Sequence, residues 1–191
     1  MFKSMLIAVA VVLAFACTAF SQAPSWSTYS GGQLLVKYAP KSFDLGSGWQ
    51  SFFQVVDFSM PTKEFNQFWG YAGAKKGVFT LDGGLAYNWH GTDPVFVGIM
   101  TDIPFGNCLW STEIDGMTNG HYFEHYLWTG VDFNYTVFGD HAFWFGPQVE
   151  ACRVGKTSAQ VGARVGLDKF QVGGYFGDRG YNVRVNITLN P

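Results

Sequence analysis

The chain has 191 residues, of which 48% are hydrophobic and 18% aromatic, whereas only 14% are charged. Its 12 basic and 14 acidic residues nearly cancel, which excludes a nucleic-acid binder that relies on a basic face. The high hydrophobic content and low net charge also exclude a disordered chain, and the length suits one domain of ordinary size.

The first 23 residues predict a cleaved export signal. A lysine near the start is followed by an apolar run, Met5–Ala16, and by small residues that precede a cleavage site after Ala23. The apolar run is shorter than the ~20 residues that a membrane-spanning helix needs. We therefore expect a signal peptide over residues 1–23 and a single mature domain over residues 24–191.

Most of the mature chain alternates between apolar and polar residues with a period of two, which is typical of strands with one apolar face. The pattern predicts strands, in chain order, over residues 33–38, 50–60, 79–89, 95–103, 109–116, 127–137, 142–154, 160–167, 170–176 and 181–190. The segment Pro61–Lys76 does not alternate in polarity. It is interpreted as a short helix or a long turn.

Short turns separate many of these strands, for example Leu167–Lys169 and Gly177–Gly180. Glycine and aspartate tolerate the backbone angles of tight hairpins, and strands joined so closely must be antiparallel. The sequence therefore predicts an all-β protein, with a single closed antiparallel up-and-down barrel of 8–12 strands and a best estimate of ten.

The polar rows of the predicted strands contain mainly small neutral residues, with a few charges of both signs. A water-facing row normally gathers Lys and Glu, so these rows fit the interior of a narrow barrel in which charges pair. The apolar rows then face outward, which suits a transmembrane barrel. The predicted interior charge network consists of Asp82, Asp132, Glu150, Arg164 and Arg184.

From Gly77 to Asn190 the chain resembles small bacterial outer-membrane β-barrel proteins in architecture, not in a specific motif. The resemblance implies outer-membrane lipid as the surroundings of the barrel. Such proteins typically end on a strand whose last residue is aromatic, whereas this sequence ends Thr188-Leu189-Asn190-Pro191. That difference puts the usual insertion signal in doubt but not the barrel geometry.

Export would remove Cys17 and leave Cys108 and Cys152. With both termini placed on the periplasmic side, these two cysteines fall at opposite ends of the barrel, about 20 Å or more apart. A disulfide needs α-carbons within about 7 Å, so we predict that the two cysteines are not bonded to each other.

The run His121-Tyr122-Phe123-Glu124-His125 matches the H-x-x-E-H pattern of one class of zinc peptidases. That chemistry requires a helix, where positions i and i+4 share a face, but here the run leads into a predicted strand. A milder alternative is a surface metal site near the outer loops. Its weak candidates are His90, Asp93, His121, Glu124 and His125, and solvated loop histidines are favoured over it.

The resulting hypothesis is an exported, non-enzymatic outer-membrane barrel of the cell envelope, with a structural or surface-interaction role and no cofactor. A narrow, porin-like pore is a variant, and the outer loops are where a partner would bind. The alternative from another class is a secreted soluble barrel that binds an apolar ligand. The sequence indicates neither the ligand nor the oligomeric state.

Overall fold

The computed structural model describes residues 31–60, 65–88, 95–118, 123–136, 141–154, 156–178 and 180–189, so the predicted signal peptide lies outside the described residues. The described residues form β-strands and no helix. The strands are β1 Gly31–Tyr38, β2 Asp44–Gly46, β3 Trp49–Met60, β4 Phe65–Lys76, β5 Phe79–Asn88, β6 Val95–Phe105, β7 Cys108–Thr118, β8 Phe123–Thr136, β9 Ala142–Val154, β10 Lys156–Leu167, β11 Phe170–Gly177 and β12 Gly180–Leu189.

These strands form one closed barrel, as the sequence predicts, with 11 strands in its wall. From β3 to β12 each strand pairs with the next in antiparallel fashion, and the three-residue β2 forms a hairpin with the start of β3. β1 closes the wall by pairing with both β3 and β12. The 11 wall strands lie within the expected range of 8–12.

The closing pair differs from the expected antiparallel pattern. β1 runs antiparallel to β3 but parallel to β12, with Gly31 opposite Asn182 and Tyr38 opposite Leu189. In a wall of alternating strand directions, an odd number of strands leaves one parallel pair. β1 therefore starts at the end of the barrel where β12 starts, and the expectation that the chain enters and leaves at the same end is wrong for the described strands.

The segment predicted as a helix or long turn also differs, because its described part, Phe65–Lys76, is a strand of 12 residues. Here side-chain size alternates instead of polarity. Trp69 and Tyr71 lie on the inner side, whereas the outer side carries small residues such as Ala72 and Ala74. A test for polar and apolar alternation does not detect such a strand.

Tight turns fix the register at one end of the barrel. Gly106 has a φ of 58° between β6 and β7, and Asp168 has a φ of 51° between β10 and β11. Two-residue hairpins require this left-handed conformation, and both turns bring the flanking residues into direct pairing, such as Leu167 with Phe170. The turns thereby set which side chains face inward.

Candidate functional site

The inner and outer faces of the barrel have opposite chemistry. On β12, Val183 is 47% exposed while the neighbouring Asn182 is 2% exposed, and Arg184 reaches partners on the inside. The other strands repeat this arrangement. Large apolar side chains are exposed on the outside, while buried polar side chains include Gln33, Thr80, Asp82, Asp115, Asp132, Gln148, Glu150, Gln160, Arg164 and Asn182.

Arg184 is the centre of a hydrogen-bonded cluster within the barrel. Its Nη1 lies 2.8 Å from Glu150 Oε2 and its Nε donates to Gln33 Oε1 at 2.8 Å. The guanidinium carbon also lies 4.6 Å from the centre of the Tyr175 ring. These contacts join strands β1, β9, β11 and β12, and the buried charge of Arg184 is compensated by that of Glu150.

The same cluster extends along the wall through amide side chains. Gln160 Nε2 donates to Glu150 Oε1 at 3.0 Å, and Asn182 Nδ2 donates to Gln160 Oε1 at 3.0 Å. The hydroxyl of Tyr175 donates to Gln148 Oε1 at 2.9 Å. Because buried polar groups need partners, these bonds fix the facing side chains to one another.

A second interior ion pair joins Asp132 and Arg164. Arg164 Nε donates to Asp132 Oδ1 at 2.7 Å, and Arg164 Nη2 donates to the other carboxylate oxygen. This bidentate geometry is the strongest form of such a pair. The guanidinium carbon also lies 4.4 Å from the centre of the Trp128 ring, so both charges are enclosed by protein.

The opposite part of the interior is acidic. Asp82 on β5 and Asp115 on β7 are both buried and lie on either side of Gly98, which is paired with both residues. Glu113 precedes Asp115 by two positions and accepts a hydrogen bond from the Tyr71 hydroxyl at 3.2 Å. We call Asp82, Glu113 and Asp115 the acidic wall.

Apolar side chains fill the interior beside the acidic wall. Val56, Tyr71, Phe96 and Met117 are buried against one another, and the Tyr71 and Phe96 ring centres are 4.7 Å apart. Phe96 is 1% exposed. Side chains therefore occupy this part of the barrel, as expected for a barrel with few strands.

Four of the five residues of the predicted charge network form two ion pairs. Asp132 and Arg164 form one ion pair, and Glu150 and Arg184 form another. Asp82 is not joined to either pair and belongs to the acidic wall.

Sequence reasoning missed Glu113, Asp115 and Tyr71. Tyr71 lies in the segment that was not predicted as a strand. Glu113 and Asp115 have the two-residue spacing of one strand face, within the strand predicted over residues 109–116. That spacing was the signal that could have placed them inside.

Most of the weak metal candidates lie outside the residues that the structure describes. His90, Asp93 and His121 lie outside the described residues, and for Glu124 only the backbone is described. His125 is exposed, and its backbone lies in β8, which begins at Phe123. Over residues 31–60, 65–88, 95–118, 123–136, 141–154, 156–178 and 180–189, no group of three or more His, Cys, Asp or Glu side chains is arranged to hold a metal ion.

The strand register separates Cys108 from Cys152. Cys108 is a free thiol. The side chain of Cys152 lies outside the description, but its backbone is opposite Tyr126, which is opposite Asp115 on β7. Seven residues along β7 separate Cys108 from Asp115, a distance of roughly 23 Å.

Comparison with known proteins adds no family. No protein-family model matches the chain, and no curated protein is significantly similar to it. Within the part of the chain that the structure describes, no helix has the length and apolar character needed to cross a membrane.

Proposed function

We propose that this protein is an integral β-barrel of the bacterial outer membrane, with a structural or surface-interaction role. The observation that carries the proposal is the reversed polarity of the wall, in which apolar side chains face outward and polar side chains face inward. This arrangement is favourable in a lipid bilayer, where the outer side chains contact hydrocarbon. A closed strand wall also satisfies every backbone hydrogen-bonding group, which lipid cannot do.

The extent of the outer apolar face supports the proposal. Side chains such as Leu85, Val97 and Ile99 are exposed on adjoining strands, so the apolar surface is continuous across the wall. Soluble monomers rarely expose contiguous apolar patches of more than a few hundred square ångströms. The interior, in contrast, offers an apolar ligand a lining rich in Asp, Glu, Arg, Asn and Gln.

Strand length and aromatic placement are also consistent with a bilayer. A membrane strand needs about 9–11 residues, and β5, β6, β7 and β12 have 10 or 11. Exposed aromatic side chains lie near both ends of the barrel, with Phe79 and Phe170 beside the tight turns and Tyr87 and Tyr181 toward the opposite end. Aromatic girdles at the two interfaces are typical of outer-membrane barrels.

Asp57 is an acidic exception on the outer side of β3. It shares a strand face with the exposed Val55, whereas the buried Val56 between them points inward, and it is paired with Val36 and Phe68 on the neighbouring strands. Asp57 is partly buried, and its Oδ1 is shielded from solvent. Partial burial lessens its exposure to lipid.

We propose a sealed scaffold in preference to the narrow pore. The supporting observation is the packing of Phe96, Tyr71 and Met117 beside the acidic wall, together with the Arg184 cluster on the facing strands. The loops at the barrel ends would then carry the interaction with a surface partner. A sealed barrel gives no steady current in a planar lipid bilayer, and stable single-channel conductance would instead support the pore.

Membrane fractionation tests the main proposal. The full-length chain is expressed in a Gram-negative bacterium. Its membranes are washed with concentrated salt and with alkaline carbonate before detergent is added. The protein should stay in the membrane pellet through both washes and should co-sediment with outer-membrane markers in a density gradient. Release by salt or carbonate would contradict the proposal and favour the soluble barrel.

A further inference from the structure

Three adjacent strands bring oxygen atoms together at Gly98 inside the barrel. Asp82 on β5 and Asp115 on β7 are both paired with Gly98 on β6. A side-chain carbon at position 98 would collide with Asp115 Oδ1 and would lie 2.9 Å from Asp82 Oδ1 and 3.2 Å from the carbonyl oxygen of Ile114. Because residue 98 has no side chain, the Asp115 carboxylate lies directly over its backbone, with Asp82 Oδ1 and the Ile114 carbonyl oxygen close by.

Asp115 shares a hydrogen bond with Glu113, but three carboxylate oxygens beside Gly98 have no donor among the described residues. Asp115 is 1% exposed and Asp82 is 9% exposed. Within the described part of the chain, both carboxylate oxygens of Asp82 and Oδ1 of Asp115 lack a hydrogen-bond partner. Buried carboxylate oxygens are nearly always paired, and Asp82 comes from a different strand than Glu113 and Asp115 yet points to the same place.

Other interior acids already have a cation. Asp132 is paired with Arg164 and Glu150 with Arg184, and even the half-exposed Asp102 lies 3.5 Å from Lys75 Nζ. The ion pairs between described residues include neither Asp82 nor Asp115. The acidic wall thus brings together carboxyl groups that no described basic side chain contacts. Ionised, they would be buried without compensation, which is unfavourable.

We propose that Asp82 and Asp115 bind a divalent hard cation, with calcium as the best match, beside Gly98. Calcium prefers oxygen ligands from carboxylates and main-chain carbonyls and tolerates irregular geometry, whereas magnesium requires a nearly octahedral shell. Two carboxylates balance its charge, and the carbonyl of Ile114 supplies a third oxygen. The ion connects β5 and β7 across β6 and stabilises this side of the wall.

Calcium titration of the purified chain tests the site. The chain without its first 23 residues is refolded in detergent micelles and stripped with a chelator, and calcium and magnesium are titrated separately by calorimetry while the thermal midpoint is recorded. We expect one calcium site, weaker magnesium binding and a higher midpoint with calcium. If the barrel proves to be soluble, the same titration is run without detergent, so failure of the membrane proposal does not decide this one.

Three variants locate the site. Asp82→Asn and Asp115→Asn each remove a charge, and Gly98→Ala puts a methyl group against Asp115 Oδ1 while keeping both carboxylates; each should weaken calcium binding by about tenfold or more. Asp44→Asn changes an exposed carboxylate, and Gly174→Ala adds a methyl group where nothing lies within 4 Å. Both controls should bind calcium like the parent chain.

The outcomes that overturn the proposal are distinct. A parent chain that binds no calcium contradicts it, as does calcium binding that persists unchanged in Gly98→Ala and Asp82→Asn. Stability that depends on pH but not on calcium would show that a proton, not a metal ion, compensates the two carboxylates. Circular dichroism verifies that each variant has refolded, and because Asp82→Asn, Asp115→Asn and Gly98→Ala are independent changes, any one that refolds decides whether calcium binds at this place.

Discussion

Replacing Ile99 by arginine places a charge at the middle of the outer face. Ile99 is 46% exposed, and its neighbours across the wall are Leu81 and Ile114. A lipid-facing arginine near the bilayer midplane costs about 2–4 kcal/mol. The folding equilibrium constant should therefore fall by about 30-fold to 700-fold, since 1.4 kcal/mol is a factor of ten. On a surface that faces water, the same change would stay within about 0.5 kcal/mol.

Leu167→Arg is the matched control, because it places the same charge near the rim of the barrel and not at mid-height. Leu167 is 48% exposed and lies at the last position of β10, beside the turn, where a lipid-facing arginine costs about 0–1 kcal/mol. Both variants and the parent are refolded into phospholipid vesicles, and the free energy of unfolding is measured with denaturant. Equal stability of the Ile99→Arg and Leu167→Arg proteins would refute the argument that the outer face contacts lipid.

Three further predictions concern the interior, the wall and the cysteine. Arg164→Met leaves Asp132 buried without its ion-pair partner and should cost about 3–5 kcal/mol in denaturant unfolding; a loss below about 1 kcal/mol would contradict the pairing. A side chain at Gly146 would collide with a main-chain oxygen of β8, so Gly146→Ala should cost about 1–3 kcal/mol while Gly174→Ala stays within about 0.5 kcal/mol, and equal unfolding midpoints would count against the register. Cys108 is a free, partly exposed thiol, so peptide mapping after maleimide treatment without reductant should find it modified, whereas labelling only after reduction would reveal a disulfide.

The closed barrel could be predicted because side-chain polarity alternates wherever the inner row is polar. In β12, Asn182 and Arg184 alternate with Val183 and Val185, and this contrast between the rows separates the side chains of the barrel interior from those of the outer face. The strand Phe65–Lys76 was missed for the converse reason. Its inner row packs aromatic rings against the apolar cluster, so the two faces differ in size and not in polarity.

The pairing of charges could be predicted only in part. The sequence shows that Asp132, Glu150, Arg164 and Arg184 share the inner side, but which acid meets which base depends on the stagger between strands. The acidic wall depends on the same stagger, because Asp82 and Asp115 become neighbours only when Gly98 is paired with both. Register is a cooperative property of the whole wall, which single strands do not encode.

The parallel pairing of β1 with β12 determines how this chain can be circularly permuted. Because β12 finishes at the rim opposite the one where β1 begins, a circular permutant cannot join these strands through a short hairpin. The linker that joins the end of β12 to the start of β1 must span the height of the wall, which is roughly 3.3 Å for each strand residue. Permutants opened at the tight turns should therefore tolerate long connectors and fail with short ones, unlike barrels with an even number of strands, whose first and last strands meet at one rim.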